Sequence, residues 1–347
     1  MSRILVRHAA VAAAVLGMTL IGAPRIADAC AGLIGSNGAV NLARTSTLAA
    51  YHDGVEHYVT AFEFQGGGGQ FGTLIPLPGV PTNVERGGGW TLQRLARETE
   101  PQKREAAFAD LAGAAAPGAE VLQQVRIDAL DITVLKGGGP DVAAWAQQHG
   151  FSLSPDAPEV LDFYAQRSPI FLAAVFDGDA AQARGQQLGD GTPVHLTIPT
   201  SNPWVPLRIL GLGKQSSDRI EADVYVMTDR QPALLPAPGD GLTLAYDRSA
   251  STPLLDDLRG DAGMAWVPQS AWLTKLRVDT DVAQLRYDLA IDASGARQPS
   301  AAAAGFPVPR LSTPPGGSGG APYVWLAAGA LALLGGAFAL RARRAEA

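Results

Sequence analysis

The sequence contains a single cysteine, Cys30, among its 347 residues, so no disulfide bond can form within the chain. Basic residues are also scarce in the central part, where residues 30–292 hold 19 Lys and Arg against 31 Asp and Glu, a net charge of −12. This negative charge repels nucleic acids and anionic lipid headgroups, which are therefore excluded as expected ligands. Stability has to come from packing. About 260 residues are enough for one large domain or for two related halves.

Long apolar runs occur only at the two ends of the sequence. At the start, Arg3 and Arg7 precede an apolar run, and the small residues Ala27 and Ala29 follow it. A basic region, a short hydrophobic region and small residues at the cleavage point are typical of a secretory signal peptide. We therefore expect a signal peptide over residues 1–29.

The second apolar run covers residues 323–340 and contains no charged residue. As a helix it would be about 27 Å long, close to the ~30 Å hydrocarbon core of a bilayer. Tyr323 and Trp325 suit the outer interface, and the three arginines within 341–347 suit the cytoplasmic side. The sequence predicts a transmembrane helix at 323–340 with a cytoplasmic tail over 341–347.

Between the domain and this helix, residues 293–322 are rich in Ala, Gly, Pro and Ser, which predicts a linker. The predicted localisation is thus the cell membrane, with a single span, an extracytoplasmic N-terminal domain and a cytoplasmic C-terminus. Cleavage after Ala29 would make Cys30 the first mature residue. Its thiol is then lipidated, free or in an intermolecular disulfide, and the sequence leaves these alternatives open.

The central part predicts an α+β fold with mostly antiparallel strands and several short helices, followed by the transmembrane helix. The strongest local signal is Asp53-Gly54, which predicts a hairpin between two apolar segments. Strands are expected at residues 48–52, 55–64, 71–76, 170–176, 194–198, 220–227, 242–246 and 285–291, and helices at 90–97, 99–115, 141–149 and 159–166.

An ordered set of segments in 30–292 resembles the bacterial family called domain of unknown function 2330. The segments are 71–78 (FGTLIPLP), 92–99 (LQRLARET), 131–135 (DITVL), 145–151 (WAQQHGF), Tyr164, 200–208 (TSNPWVPLR) and 224–229 (VYVMTD). The resemblance implies a signal peptide and often a C-terminal anchor, but no activity and no functional residues. The chain departs from the expected Cys-Gly-Gly start, since Cys30 is followed by Ala-Gly.

His52 and His57 are the candidate metal ligands. A two-residue turn at Asp53-Gly54 would place both histidines on one face of the sheet, about 7–8 Å apart. Imidazoles at that distance could share a metal, with Asp53 or Glu56 nearby, but no third ligand stands at a readable spacing.

The glycine motifs do not support catalysis or cofactor binding. Residues 316–320 (GGSGG) match a nucleophile elbow without its strand and helix, and residues 67–72 (GGGQFG) match a dinucleotide loop but precede a strand. No cofactor is therefore expected. Tryptophans spread along the chain either pack in a core or, if exposed, offer a surface to carbohydrate.

These observations favour a membrane-anchored cell-envelope protein with a non-enzymatic binding or structural ectodomain. Its expected partners are the membrane and an envelope protein or wall polymer. The alternative is an extracytoplasmic hydrolase or metal-dependent enzyme with scattered residues, among which His52, His57 and His195 are the first candidates.

Overall fold

The computed structural model describes residues 32–35, 45–63, 70–99, 120–186 and 191–307. The predicted signal peptide, the predicted transmembrane helix, the tail and all but the first residue of the predicted helix at 99–115 lie outside these residues. Within the described part, no helix is both long enough and apolar enough to cross a membrane. The described residues up to Pro307 belong to one compact unit.

Strands dominate the described part, as the sequence predicts for an α+β fold of mostly antiparallel strands. They are β1 (Gly32–Gly35), β2 (Thr45–His52), β3 (Val55–Glu63), β4 (Gln70–Pro76), β5 (Asn83–Arg86), β6 (Glu120–Ile127), β7 (Leu130–Lys136), β8 (Ile170–Asp177), β9 (Gly191–Pro199), β10 (Trp204–Val205), β11 (Arg219–Thr228), β12 (Ala233–Leu235), β13 (Leu242–Ser249), β14 (Trp272–Asp281) and β15 (Leu289–Asp292). The helices are α1 (Thr91–Thr99), α2 (Gly139–Gln148), α3 (Ala157–Ala165), α4 (Gly178–Ala183) and α5 (Thr252–Gly260).

The strands form three sheets. The largest has the order β13-β14-β11-β2-β3-β9-β5, the second β1-β4-β8-β7-β6, and the smallest β10-β15-β12. Among the described strand pairs, β2 and β11 run parallel to each other, and all other pairs are antiparallel. The parallel pair joins a strand near the start of the domain to one about 175 residues later, a separation that no local sequence signal encodes.

The predicted hairpin between β2 and β3 is confirmed. Asp53 and Gly54 have φ angles of 49° and 80°, the positive values that a two-residue type I′ turn requires at both positions. The register places Ala50 opposite His57 and His52 opposite Val55, as expected from the position of the turn. His52 and His57 therefore share one face of the largest sheet.

The two larger sheets pack face to face. On β8, Leu172 and Ala174 point to the same side, and they belong to one buried apolar cluster with Val224 and Val226 of β11. Because side chains alternate along a strand, the intervening residues of both strands point to the outer faces. Each of these strands therefore contributes side chains to two separate apolar cores, one on each face of its sheet.

Helices cover the outer faces of both sheets. α2 and α3 bury Trp145 and Tyr164 against the outer face of the five-stranded sheet, in a cluster that includes Phe171. α1 and α5 bury Leu95 and Leu254 against the outer face of the seven-stranded sheet. The result is four layers, with helices on the outside and two sheets between them, in which both sheets are buried on two sides.

Most predicted elements are present with boundaries shifted by a few residues, but some differ. The strand expected at 285–291 begins only at Leu289, because the chain leaves a short 3-10 helix at Gln284 and Asp288 is committed to a buried hydrogen bond from the backbone N–H of Leu207. Helices α4 and α5 were not predicted. Residues 300–306, within the predicted linker, pack onto the domain, where Ala304 is buried and accepts a hydrogen bond from the backbone of Asp288 at 3.0 Å.

Candidate functional site

The candidate site lies on the helix-covered face of the seven-stranded sheet, where three neighbouring strands bring polar side chains together. In the register, Glu85 of β5 lies directly opposite His195 of β9, and His195 lies opposite Val59 of β3. His57 is two residues before Val59, so its side chain points to the same face and lies diagonal to His195. The sheet thus aligns Glu85, His195 and His57 across three strands.

These three side chains form a continuous hydrogen-bonded chain, here called the histidine relay. Nδ1 of His195 lies 3.1 Å from Oε1 of Glu85, and Nε2 of His195 lies 2.9 Å from Nδ1 of His57. A carboxylate accepts only, so Nδ1 of a neutral His195 carries the hydrogen and its Nε2 is an acceptor. His57 must then donate from Nδ1, which leaves a lone pair on its Nε2.

Trp266 stacks on the relay. Its ring is parallel to that of His57, with an angle of 3° and centroids 3.8 Å apart, and it lies 5.3 Å from the ring of His195. The indole Nε1 is buried and has no hydrogen-bond partner among the described residues. An unpaired buried donor costs about 1–3 kcal/mol of stability. The stacking on two imidazoles offsets this cost and keeps Trp266 in place.

The segment that carries Trp266 is fixed by contacts to the same side of the sheet. Asp261 accepts hydrogen bonds from the backbone N–H groups of Gly89 and Trp90, at the start of α1. Gly263 has a φ of 76°, and a Cβ atom there would lie 2.7 Å from the carbonyl oxygen of Arg86 in β5. Glycine is needed at this position both for the left-handed backbone and for the close approach to β5.

The two histidines of the relay are held neutral. Burial, and to a smaller extent the neighbouring His195 and His52, lower the pKa of His57 to about 4. Burial also lowers the pKa of His195, opposed by its hydrogen bond and attraction to Glu85. Both imidazoles are therefore uncharged near pH 7, which is the state that the tautomer argument requires.

Exposure differs along the relay. His195, in the middle, is 2% exposed, whereas the side chain of Glu85 is 43% exposed and His57 is half-buried. No described residue forms a hydrogen bond with Nε2 of His57. The relay thus links an unoccupied acceptor on His57 to a carboxylate in contact with solvent.

His52, the other predicted ligand, has separate partners. Its Nδ1 lies 2.6 Å from Oδ1 of Asp229, and its Nε2 lies 3.2 Å from Oδ2 of Asp53. Within the described residues, no group of three or more His, Cys, Asp or Glu side chains is arranged to hold a metal ion. The structure therefore pairs His57 with His195, and not with His52. Glu56, the other neighbour considered, points to the opposite face and is buried.

Sequence reasoning named His57 and His195 as candidates and considered Trp266 only as one of several tryptophans, and it missed Glu85. Glu85 lies in a four-residue strand 110 positions before His195, and Trp266 lies in an irregular segment. Of the other tryptophans, Trp145 and Trp204 pack in the core, whereas Trp90 is 41% exposed. No spacing in the sequence connects these residues, because the sheet order and not the chain order makes them neighbours.

Comparisons with known proteins give one family. The model of the family described as "Uncharacterized protein conserved in bacteria (DUF2330)" matches residues 24–290, which confirms the resemblance found in the sequence. No curated protein matches the chain.

Several solved structures are similar to the chain at low identity. A mutated baculovirus P35 after caspase cleavage has 8% identity and a TM-score of 0.39, over 73% of this chain and 98% of that one. Baculovirus P35 has 10% identity and a TM-score of 0.35, over 72% and 91% of the two chains. The caspase-8/P35 complex has 8% identity and a TM-score of 0.33, over 72% and 90%. A likeness at this level says nothing about what this chain binds.

Proposed function

The chain belongs to the bacterial family DUF2330, whose description assigns no activity, and we propose that it is a membrane-anchored cell-envelope protein whose ectodomain binds a ligand at the site formed by the histidine relay and Trp266. The ligand belongs to the envelope and is a surface protein or a wall polymer. This proposal continues the sequence analysis and adds to it the place where the ligand binds.

The anchoring part of the proposal is supported by the two ends of the sequence. The signal peptide is proposed at 1–29 and the single span at 323–340, with the tail 341–347 in the cytoplasm. A tag fused after Ala347 should resist protease added to intact cells and be digested once the cells are permeabilised. Digestion of the tag in intact cells would overturn this orientation.

The observation that carries the binding proposal is the half-buried pair of Trp266 and His57. An aromatic ring offers apolar area, and the adjacent Nε2 of His57 offers an unoccupied hydrogen-bond acceptor. Among the described residues, the hydrogen-bond partners of the two relay histidines include no hydroxyl or thiol that could act as a nucleophile. This favours recognition of a ligand over covalent turnover.

Capture from envelope extracts tests the proposal with the full chain purified in mild detergent. Trp266→Ala should reduce the retained ligand at least tenfold, because it removes the aromatic wall of the site. Trp90→Ala is the matched control, since Trp90 is 41% exposed and lies outside the relay. Equal retention by wild type and Trp266→Ala would refute the proposed site, provided that a cooperative thermal unfolding transition shows both proteins to be folded.

A second candidate function is an extracytoplasmic enzyme that uses His57 as a general base. The observation that favours it is the relay, because a carboxylate that orients one imidazole, which in turn orients another, is an arrangement suited to proton transfer. Loss of a hydrolytic activity in His57→Gln with retention of it in His149→Gln, a histidine on the far side of the fold next to α2, would favour the enzyme.

A further inference from the structure

We infer that the histidine relay is a hydrogen-bond-accepting site, in which Nε2 of His57 accepts a hydrogen bond from an O–H group on the bound ligand. The inference rests on the proposed ligand site and names the chemistry of its ligand, a hydroxyl-bearing molecule. His195 and Glu85 hold His57 in the tautomer that leaves Nε2 free to accept.

The direction of the relay follows from its two ends. Glu85 has no hydrogen to donate when ionised, so it fixes the hydrogen of His195 on Nδ1. His195 in turn fixes the hydrogen of His57 on Nδ1. Among the ring nitrogens of the relay, Nε2 of His57 is therefore the one without a hydrogen bond to another described residue, and it is an acceptor. A ligand has to bring the donor.

The hydrogen bond needs no further reactant. The ligand keeps its O–H bond and donates it to Nε2 of His57, while His57 and His195 keep their hydrogens on Nδ1. No bond is broken, because an imidazole whose pKa is lowered to about 4 is too weak a base to remove the proton of an alcohol.

The surroundings keep the acceptor free at neutral and mildly acidic pH. The titratable groups that act on His57 are His195 on β9 and His52 on β2, both of which oppose a positive charge on it. From β5, Glu85 acts on His195 and favours a positive charge there. The segment over this face contributes Trp266, which does not titrate. His57 therefore stays neutral, and its Nε2 stays free to accept a hydrogen bond.

A simple packing role would not need three titratable groups in a row. Asparagine or glutamine side chains could satisfy the same buried hydrogen bonds with no cost from protonation, whereas a buried imidazole with a lowered pKa makes the folded state less stable in acid. Groups with strongly shifted pKa values that also contact one another are concentrated at functional sites.

Diethyl pyrocarbonate, which acylates only an unprotonated imidazole nitrogen, tests the free acceptor in the full chain. Between pH 7 and pH 5 the reaction of N-acetylhistidine should slow about 25-fold, because an ordinary imidazole becomes protonated. The reaction at His57, located by peptide mapping, should slow less than twofold. A slowing at His57 as large as that of N-acetylhistidine would overturn the inference.

The tautomer is tested by nitrogen NMR of the chain labelled with 15N-histidine. Wild-type His57 should carry its hydrogen on Nδ1, and Glu85→Ala should convert a large part of it to the Nε2–H form and slow its acylation several-fold. Glu120→Ala is the matched control, because Glu120 is exposed on β6 and pairs with Lys136. An Nε2–H tautomer in wild type, or no response to Glu85→Ala, would refute the relay.

The outcomes for the relay and for the proposed function are separable. A chain whose ligand capture depends on Trp266 but whose His57 carries its hydrogen on Nε2 keeps the binding function and loses the relay. A chain with the expected tautomer and acylation but with capture unaffected by Trp266→Ala keeps the relay and loses the proposed ligand site. Since Glu85 lies at the surface end of the relay, its substitution leaves the apolar cores intact.

Discussion

The side chain of Glu56 accepts a hydrogen bond from the backbone N–H of Trp204, with 3.3 Å between Oε2 and the nitrogen. Glu56 is fully buried, and its Oε1 has no hydrogen-bond partner among the described residues. Burial raises the pKa of Glu56 to about 8, opposed by the hydrogen bond from Trp204. The carboxyl group is therefore protonated in the folded protein at pH 7, although it ionises in the unfolded chain.

We predict that Glu56 makes the protein less stable as the pH rises. Between its unfolded pKa of 4.5 and its folded pKa of about 8, the folded state binds more protons than the unfolded state. The free energy of unfolding should then fall with increasing pH across this window, by a total on the order of 3 kcal/mol between pH 4.5 and pH 7. Glu56→Gln should remove this slope and be more stable than wild type at pH 8.

Urea unfolding of the two proteins at several pH values between 4.5 and 8 measures the effect. Glu120→Gln, which changes an exposed carboxyl group, should retain the slope of wild type. Parallel stability curves for wild type and Glu56→Gln would show that Glu56 is not protonated in the folded state.

His57 has the opposite effect on the dependence of stability on pH. Its folded pKa of about 4 lies below the unfolded value of 6.5, so the unfolded state binds more protons between these values. Stability contributed by the neutral form is present above pH 6.5 and is lost as the pH falls towards 4. We predict that His57→Gln weakens the acid destabilisation seen in thermal unfolding between pH 6.5 and pH 4.5. An unchanged acid slope would contradict the lowered pKa.

Two adjacent glycines should differ in their tolerance of alanine. A Cβ atom at Gly88 would overlap Oγ1 of Thr91 and the carboxylate of Asp261, whereas one at Gly89 would meet nothing within 4 Å. Asp261 caps the start of α1, so its displacement leaves backbone N–H groups unpaired. Gly88→Ala should lower the free energy of unfolding by about 2–3 kcal/mol, and Gly89→Ala should change it by less than about 0.5 kcal/mol. Similar stabilities in urea would contradict this account of the cap.

Asp288 is predicted to be the most costly buried carboxylate to lose. It is fully buried, pairs with Arg167, and accepts hydrogen bonds from the hydroxyl of Tyr164 at 2.8 Å and the backbone N–H of Leu207 at 2.7 Å. Asp288→Ala leaves the guanidinium of Arg167 uncompensated, and should cost about 3–5 kcal/mol in the free energy of unfolding. Asp256→Ala, which breaks an exposed pair with Arg259, should cost less than about 1 kcal/mol. A loss at Asp288 no larger than at Asp256 would show that the buried pair is not needed.

The metal hypothesis for His52 and His57 remains open to measurement. Because Asp229 and Asp53 occupy the two ring nitrogens of His52, we predict that the purified chain contains less than one equivalent of any transition metal. Elemental analysis of wild type and of the double variant His52→Ala, His57→Ala should give the same content. A stoichiometric metal that is lost in the double variant would restore the hypothesis.

Local signals account for the elements that were predicted correctly. The Asp53-Gly54 turn needs positive φ at two adjacent residues, which these two residue types tolerate best, so the hairpin and its register follow from a few positions. The strands 170–176 and 220–227 were visible from their apolar content. α5 was missed although Ser251 as a cap and the proline in its first turn are signals of a helix start, because its apolar face consists of only three leucines.

The sequence by itself determined the family, the α+β class, the absence of internal disulfides and the hairpin that places His52 and His57 on one face, because each depends on composition or on neighbouring residues. Only the tertiary structure decided that His57 pairs with His195, that Glu85 orients His195, and that Trp266 covers both. The two hydrogen bonds join residues separated by more than 100 positions, and they exist because β3, β9 and β5 are adjacent in the sheet. Strand order is set by the burial of both sheet faces over the whole domain, which no local pattern in the sequence specifies.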